Sequence, residues 1–353
     1  MRIGQLLTAS TGGIGRHVAS VATRLVERGH QVRICCPPET VAAHRLERSG
    51  AELLSLSHLG RLSSAEVIHA HGYKAGALAV PSARLARVPL VVSWHNAILG
   101  GGPQAIAGRS LQRLLARTAD VTLAASRDLV AEARRLGARD ARLGLVAAPV
   151  LAAPAVDRED LRRELGVAPA DVVVITVSRL APQKNLGAVL DIAREVRDSS
   201  ELQFLIVGEG PLRPELESRI AAERSHVRLL GHRGDIASLL AAADIALLTS
   251  TWEARALVAQ EALLAGVPLI STRVGGIEDL VADAAVLVPP GDLPAAVREL
   301  LALAADPGRR AALAAAGRAQ ARTWPDEDQV VDDVLLVYAD LVGGFSASLP
   351  NRR

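Results

Sequence analysis

Two carboxylates stand eight positions apart in "WEARALVAQEALLAG" (252–266), Glu253 and Glu261. Between Ala256 and Thr272, Glu261 is the only charged residue. A carboxylate among Leu257, Val258, Ala262, Leu264 and Ala265 is costly to bury unpaired, so it must reach solvent or meet hydroxyl donors. A ribose diol offers two such donors. A helix opening near Ala256 would leave N–H groups around Leu257 and Val258 free to face an anion. The plainer alternative is a glutamate on the solvent face of an alanine-rich helix, the commoner case for one helix taken alone.

A cationic pair lies upstream in "VSRLAPQKN" (177–185), where Arg179 and Lys184 follow a strand. A planar guanidinium and a flexible ammonium at the carboxyl end of a strand suit a diphosphate. Two exposed cations are the alternative, although Lys184 is one of only two lysines, with Lys74. Near the N-terminus, "TASTGGIGRHV" (8–18) runs a strand through Gly12, Gly13 and Gly15 into a helix. Glycines there let a ligand oxygen approach the helix N-terminus, and a tight turn without a ligand is as common. The spacing is GGxG rather than GxGxxG. The second strand ends on Cys36 and Pro37 rather than on an acid, which argues against a nicotinamide site. Gly208 and Gly210 of "FLIVGEGPLRPELE" read as turn residues. His69 and His71 of "VIHAHGYKAG" are taken to point to alternate faces of their strand, against joint metal binding. His95 of "VSWHN" alone reads as a core or capping residue.

These residues need elements to hold them. Short apolar strands alternate with amphipathic helices, which implies parallel sheets covered on both faces. The pattern predicts strands at 2–8, 31–36, 66–70, 89–94, 121–125 and 143–147. Helices fall at 14–28, 38–49, 72–86, 103–118 and 127–136. The proline-bearing "LVAAPVLAAPAVD" (145–157) interrupts the rhythm as a connection. Then strands follow at 172–178, 203–207, 226–229, 244–248, 267–271 and 284–287. Their helices lie at 185–197, 211–223, 234–242, 256–265, 276–281 and 292–304. A final helix spans 324–342 and a flexible tail covers 343–353. Doubly wound sheets bind ligands at the carboxyl ends of their strands.

With 353 residues, half of them hydrophobic, the chain has material for two cores. No apolar run approaches the ~20 residues of a membrane span. The opening "MRIGQLLTASTGG" reads as a first strand rather than a signal peptide. Cys35 and Cys36 are adjacent, so they face opposite ways in a strand and suit two core residues of a reducing compartment. A cytoplasmic protein is expected. The net charge of +2 forms no basic stripe, and aromatics make up only 2%, against a nucleic-acid partner. The helix "GRSLQRLLAR" (108–117) reads as amphipathic and packed on its sheet, with peripheral membrane contact as the alternative.

The ordered set is more specific than any member. It comprises the glycine loop, "VIHAHG", "VSWHN", Arg179-x4-Lys184, Gly-x-Gly-Pro, "LLGHRGDIASLLAAADIALLTS", Glu253-x7-Glu261 and "STRVGGIEDLV". From about Arg2 to Val342 the chain resembles the family 4 glycosyltransferases of the GT-B fold. The resemblance implies an α/β architecture of two Rossmann-like domains facing across a cleft. An acceptor-binding domain would cover 1–155 and a nucleotide-sugar-binding domain 156–322. A helix at 323–342, with Trp324 and Tyr338, would cross back to the first domain.

It also implies roles. Arg179 and Lys184 match the pair that neutralises the donor diphosphate without a metal or other cofactor. Glu261 matches the carboxylate on the ribose hydroxyls, and Glu253 the one near the donor sugar. Backbone N–H groups of Leu257 and Val258 would touch phosphate or sugar. His95 matches the histidine at the reaction centre, and Gly13 and Gly15 would let the first loop approach the donor. The implied reaction is sugar transfer with retention from a nucleoside-diphosphate sugar, UDP before GDP, to an unidentified acceptor. That acceptor is a cell-envelope lipid or glycan precursor or a small metabolite. The family's Glu-Gly-Phe-Gly-Leu is here Glu253-Ala254-Arg255-Ala256-Leu257, which changes the sugar pocket. The alternatives are a nucleotide-sugar epimerase of the same fold and a sugar-nucleotide-binding protein without catalysis.

Overall fold

Parallel strand pairing absorbs the strand–helix alternation. The computed structural model describes residues 1–10, 12–199 and 201–348. The chain divides into two units, residues 1–148 with the chain from Pro325 onward, and Pro149–Trp324.

The first unit runs β1 (Arg2–Leu7), α1 (Gly13–Glu27), β2 (Gln31–Cys35), α2 (Pro38–His44), β3 (Glu52–Leu54), β4 (Val67–His71), α3 (Tyr73–Ala86), β5 (Leu90–Trp94), α4 (Pro103–Thr118), β6 (Val121–Ala124), α5 (Arg127–Arg135) and β7 (Ala141–Leu143). Among the described residues its strands form a seven-stranded sheet in the order β3-β2-β1-β4-β5-β6-β7. Every neighbouring pair is parallel. β4 and β5 are buried along their whole length, as strands covered on both faces must be.

The second unit runs α6 (Arg158–Glu164), β8 (Val172–Val177), α7 (Leu186–Glu195), β9 (Leu202–Val207), α8 (Arg213–Glu223), β10 (Arg228–Gly231), α9 (Ile236–Ala242), β11 (Ile245–Leu248), α10 (Leu257–Ala265), β12 (Leu269–Thr272), α11 (Ile277–Val281), β13 (Val286–Val288), α12 (Leu293–Ala305) and α13 (Pro307–Ala321). Its sheet order is β10-β9-β8-β11-β12-β13. Both sheets reverse direction beside their first strand, between β1 and β4 and between β8 and β11. Such switch points open a crevice at the carboxyl ends of the strands.

The last helix, α14 (Glu327–Ser348), belongs to the first unit. Val330, Val331, Val334, Val337 and Tyr338 join the core formed by Ile3, Leu7, Val18 and Val21. Arg24 pairs with Glu327 at 3.1 Å and Arg28 with Asp328 at 3.0 Å along the α1–α14 seam.

Several expectations shift. Helix α14 starts at Glu327 rather than Thr323 or Trp324, because Asp326 and Gln329 exchange side-chain-to-backbone hydrogen bonds of 2.8 and 2.9 Å, a reciprocal cap. Trp324 stays in the second unit, its indole N–H donating to Leu280 O at 3.0 Å. Residues 343–348, read as tail, continue the helix, and the rest of that tail (349–353) lies outside the described residues. The helix expected over 38–49 breaks at Arg45, which takes φ +50. The strand expected at 143–147 is Ala141–Leu143. Strand β3 and helices α6 and α13 were not anticipated. α13 buries only Gly317 and Ala321, so it shows no apolar stripe for periodicity to detect.

Candidate active site

In the second unit the loops after β8, β9, β11 and β12 are laced together by backbone and hydroxyl contacts. Ser178 N donates to Val207 O at 2.9 Å and Leu180 N to Glu209 O at 2.9 Å. A Cβ at Gly208 would stand 1.9 Å from Ser178 O, and one at Gly210 2.4 Å from Leu180 O. These glycines therefore let two loops touch, in addition to making the turn. Thr251 N donates to Gln183 O at 2.8 Å, and Gln183 Nε2 returns to Trp252 O at 2.6 Å. The Thr249 hydroxyl reaches Lys184 O and Asn185 O at 3.1 and 3.0 Å.

That lacing brings Lys184 and Glu253 together. Lys184 sits on a single 3-10 turn, Pro182–Lys184, and its Nζ donates to Glu253 Oε1. The Ser250 hydroxyl donates to the same oxygen at 2.7 Å. Glu253 is only 6% exposed, so two donors balance its desolvation. Its carbonyl takes the N–H of Gly276 at 2.8 Å. Gly275 adopts φ +54, and a Cβ there would fall 2.0 Å from that carbonyl. Ser250 and Gly275 were not singled out from the sequence. The glycine pair in "STRVGGIEDLV" was the available signal.

Arg179 is exposed, and among the described residues its guanidinium has neither an ion pair nor a hydrogen bond. Glu261 lies on α10, past the helix's first turn, and is partly buried. Leu257 and Val258 open α10 behind Ala256, and no side chain caps that end. Its first N–H groups therefore have no intrahelical acceptor.

In the first unit His95 follows β5 and joins a cluster of imidazoles. Its ring lies 5.7 Å from that of His17 and 5.8 Å from that of His71. The rings of His69 and His71 lie 4.1 Å apart on one face of β4, which corrects the assignment to alternate faces. Residues two apart in a strand share a face. His69 is held at both nitrogens, by Tyr338 Oη and Ser93 Oγ, each at 2.7 Å. Burial lowers the pKa of His95 to about 3 and of His17 to about 4, and takes His69 and His71 well down. His95 is therefore a neutral imidazole at neutral pH, suited to hydrogen bonding rather than to general base catalysis.

Gly13 is the exposed first residue of α1, whereas Gly15 is buried. A Cβ on Gly15 would meet the His44 ring at 2.1 Å. Packing against His44 thus explains a glycine at position 15. Cys35 and Cys36 are free and buried, and burial pushes both thiols up to about 11. Among the described residues no group of three or more His, Cys, Asp and Glu is placed to hold a metal ion. None of the described helices is long and apolar enough to cross a membrane.

Known proteins resemble this chain in sequence and in fold. The family model for glycosyl transferases group 1 matches residues 157–320, and the glycosyl transferase 4-like domain matches residues 12–149. A D-inositol 3-phosphate glycosyltransferase of Geodermatophilus obscurus is 30% identical across 93% of this chain and 84% of its own. N-acetyl-alpha-D-glucosaminyl L-malate synthase of Bacillus anthracis is 25% identical over 83% of this chain and 84% of its own. The crystal structure of Anabaena Alr3699/HepE in complex with UDP and glucose is alike in fold. Its TM-score is 0.84 at 21% identity, over 97% of this chain and all of that one.

Two Rossmann-like units with these loops at the carboxyl ends of their strands define an α/β GT-B glycosyltransferase, an enzyme that takes sugar from a nucleotide-sugar. The chain belongs to the family 4 glycosyltransferases.

Proposed function

We propose that this enzyme transfers a sugar from a UDP-sugar to a hydroxyl acceptor with retention of anomeric configuration and without a metal. The observation that carries this reading is the Lys184–Glu253–Ser250 arrangement beside the uncapped end of α10. In it, Arg179 and Lys184 meet the diphosphate and Glu261 takes the ribose hydroxyls. The N–H groups of Leu257 and Val258 face phosphate or sugar, and Glu253 orients the sugar. On the first unit, Gly13 and His95 keep the roles that the family resemblance implies, His95 as a neutral hydrogen-bonding group.

The bond from the anomeric carbon to the β-phosphate oxygen breaks as the acceptor oxygen bonds the same face. The acceptor proton passes to the leaving phosphate. Charge grows on the diphosphate through this step, so fixed cations bind the transition state more tightly than the ground state. UDP is favoured as the carrier because the Anabaena structure contains it.

The acceptor belongs to the first unit in this reading. Relatives act, by their names, on inositol 3-phosphate, on L-malate and on a GlcNAc-diphosphoundecaprenol, so polyol, hydroxy-acid and lipid-linked acceptors are the classes to try. A lipid-linked acceptor would bring α4 to a membrane surface. It exposes Ile106 and Leu114 beside Arg109, Arg113 and Arg117. The reaction would then proceed on the cytoplasmic side.

The test is thermal shift against UDP, GDP, ADP and NAD, repeated with Glu261→Ala. A ligand at 100 times its Kd adds about 2.7 kcal/mol of stability. A UDP shift that disappears in the variant supports the donor site. A shift with NAD alone, or with no nucleotide, overturns it.

A further inference from the structure

Helices α3 and α4 lie side by side in the first unit. A Cβ on Gly76 of α3 would stand 3.0 Å from the Leu115 methyls of α4. Gln112 Nε2 donates to Tyr73 Oη at 2.7 Å, and Arg84 Nη2 donates to Thr118 O at 3.0 Å. Their outward faces are alike. On α3, exposed Lys74, Leu78, Pro81 and Leu85 follow at steps of four, three and four. On α4, exposed Ile106, Arg109, Arg113 and Arg117 follow at three, four and four, with Leu114 beside them. Such steps align side chains along one face of a helix.

Of the nine large apolar side chains exposed among the described residues, five are Leu78, Leu85, Leu99, Ile106 and Leu114. Leu85 is 90% and Ile106 61% exposed. Single exposed leucines are ordinary, whereas a concentration of them on two adjoining helices marks a surface that meets something.

Charge on this segment has one sign. Residues 67–119 hold no Asp or Glu, in a chain with 38 of them, and hold six Lys and Arg. Arg84, Arg109 and Arg117 donate to backbone carbonyls. Among the described residues none of these three, nor Lys74, Arg87 or Arg113, meets a carboxylate. Glu132 on the adjacent α5 is taken by Arg135 at 2.7 Å.

These two features together narrow the partner. A nucleic acid would use the cations but calls for aromatic platforms, and the exposed apolar side chains here are aliphatic. A protein interface depletes charge at its centre, whereas here cations and aliphatic side chains interleave. A bilayer with anionic lipid meets both. The aliphatic side chains enter its interfacial layer, and the long cationic ones reach its phosphates.

We propose that α3 and α4 form a docking face for an anionic membrane surface, separate from the donor site in the second unit. Both helices follow the carboxyl ends of β4 and β5, and β4 borders the first unit's switch point. Docking therefore brings that crevice to the lipid surface. Delivery of a lipid-linked acceptor there rests on the acceptor reading above, whereas docking itself needs neither acceptor nor nucleotide.

The experiment is sedimentation of the full chain with vesicles of phosphatidylcholine alone and of phosphatidylcholine with one quarter phosphatidylglycerol. It is repeated with Leu85→Ser/Ile106→Ser/Leu114→Ser and with Arg87→Gln/Arg113→Gln. The wild type should bind the anionic vesicles about tenfold or more tighter than the neutral ones, and each variant should lose about tenfold or more of that affinity. All the substituted side chains are exposed, so both variants should keep the wild-type Tm and the wild-type UDP shift. The wild-type comparison tests the idea even if a variant misfolds. Equal or absent binding to the two vesicles overturns docking and leaves the donor reading standing. Anionic binding that neither variant weakens overturns the assignment to α3 and α4. Binding lost with the arginines but kept in full by the serine variant overturns the lipid, because the face is then a site for a polyanion such as nucleic acid. Vesicle binding by a chain that UDP does not stabilise supports docking while the donor reading fails.

Discussion

Lys184 and Glu253 are separated by 69 positions in the chain and meet as an ion pair at the carboxyl ends of β8 and β11. The pair orders both groups in advance. An ammonium has three N–H donors, so Lys184 can hold Glu253 and still offer a hydrogen bond to a phosphate oxygen. Glu253, fixed by Ser250 as well, is held in one position, as the sugar-binding role proposed for it requires.

Lys184→Ala should therefore lower turnover strongly, by about 10²–10³, the size expected for removing one preorganised charge donor. It should also destabilise the protein. Lys184 and Glu253 side chains are 25% and 8% exposed, between the surface and buried limits, so about 1–3 kcal/mol is expected. Adding Glu253→Gln should recover much of the stability and none of the turnover. Urea unfolding and donor turnover measured on the same preparations check both parts. Unchanged stability in Lys184→Ala would show that the pair does not form in solution.

Gly275→Ala should damage the same site from beneath. The residue holds φ +54, and its new Cβ would meet the Glu253 carbonyl. Backbone strain and the clash together should cost about 2 kcal/mol, lowering Tm by about 4–8 °C for a unit of this size. Gly12→Ala, where an added Cβ meets nothing within 4 Å, should leave Tm within about 1 °C. Equal behaviour of the two variants would remove the support assigned to Gly275.

The strand and helix alternation was legible because buried parallel strands and amphipathic helices carry different periods. β1, β4, β5 and β8 appear within a residue or two of their expected places. α13 was not legible, since its contact with α10 is made by Gly317 against Leu263 and leaves no apolar stripe. Within the site, Lys184 and Glu253 were each marked by sequence, but their pairing depends on how β8 and β11 lie side by side. Spacing along a chain cannot report that. The shared face of His69 and His71 was available from the two-residue period and was read the wrong way. Gly15 was read for ligand approach, while its packing explanation, the His44 ring, sits 29 residues downstream.

Tyr338→Phe should loosen α14. Tyr338 is fully buried and its hydroxyl meets His69 Nδ1 at 2.7 Å. Its removal leaves a buried imidazole nitrogen without a partner and should cost about 1–3 kcal/mol. Amide exchange should then speed up along α14 while β8 and β9 keep their protection. Uniform protection across α14 and the rest of the first unit would show that the hydrogen bond contributes nothing to its docking.

Acid should unfold the first unit through its histidines. His17, His69, His71 and His95 are held neutral by burial, with folded pKa values below the ordinary 6.5 and at about 4 and 3 for His17 and His95. Below pH 6.5 the unfolded chain therefore binds more protons than the folded one, and stability falls as pH falls. The loss begins near 6.5 and continues through 4 toward 3. His69 faces the neutral hydroxyls of Tyr338 and Ser93, and the rings of His17, His71 and His95 face one another, so none of these contacts compensates a new charge. Asp333 on α14 acts in the opposite sense, because burial raises its carboxyl pKa and the folded state takes that proton first. One such carboxyl against four imidazoles leaves the histidines dominant. Urea midpoints between pH 8 and 4.5 should be flat above about pH 6.5 and decline below it. A His71→Gln variant should decline less steeply, since one neutral imidazole no longer has to charge. A midpoint that stays level down to pH 4.5 would show that the cluster is solvated in solution.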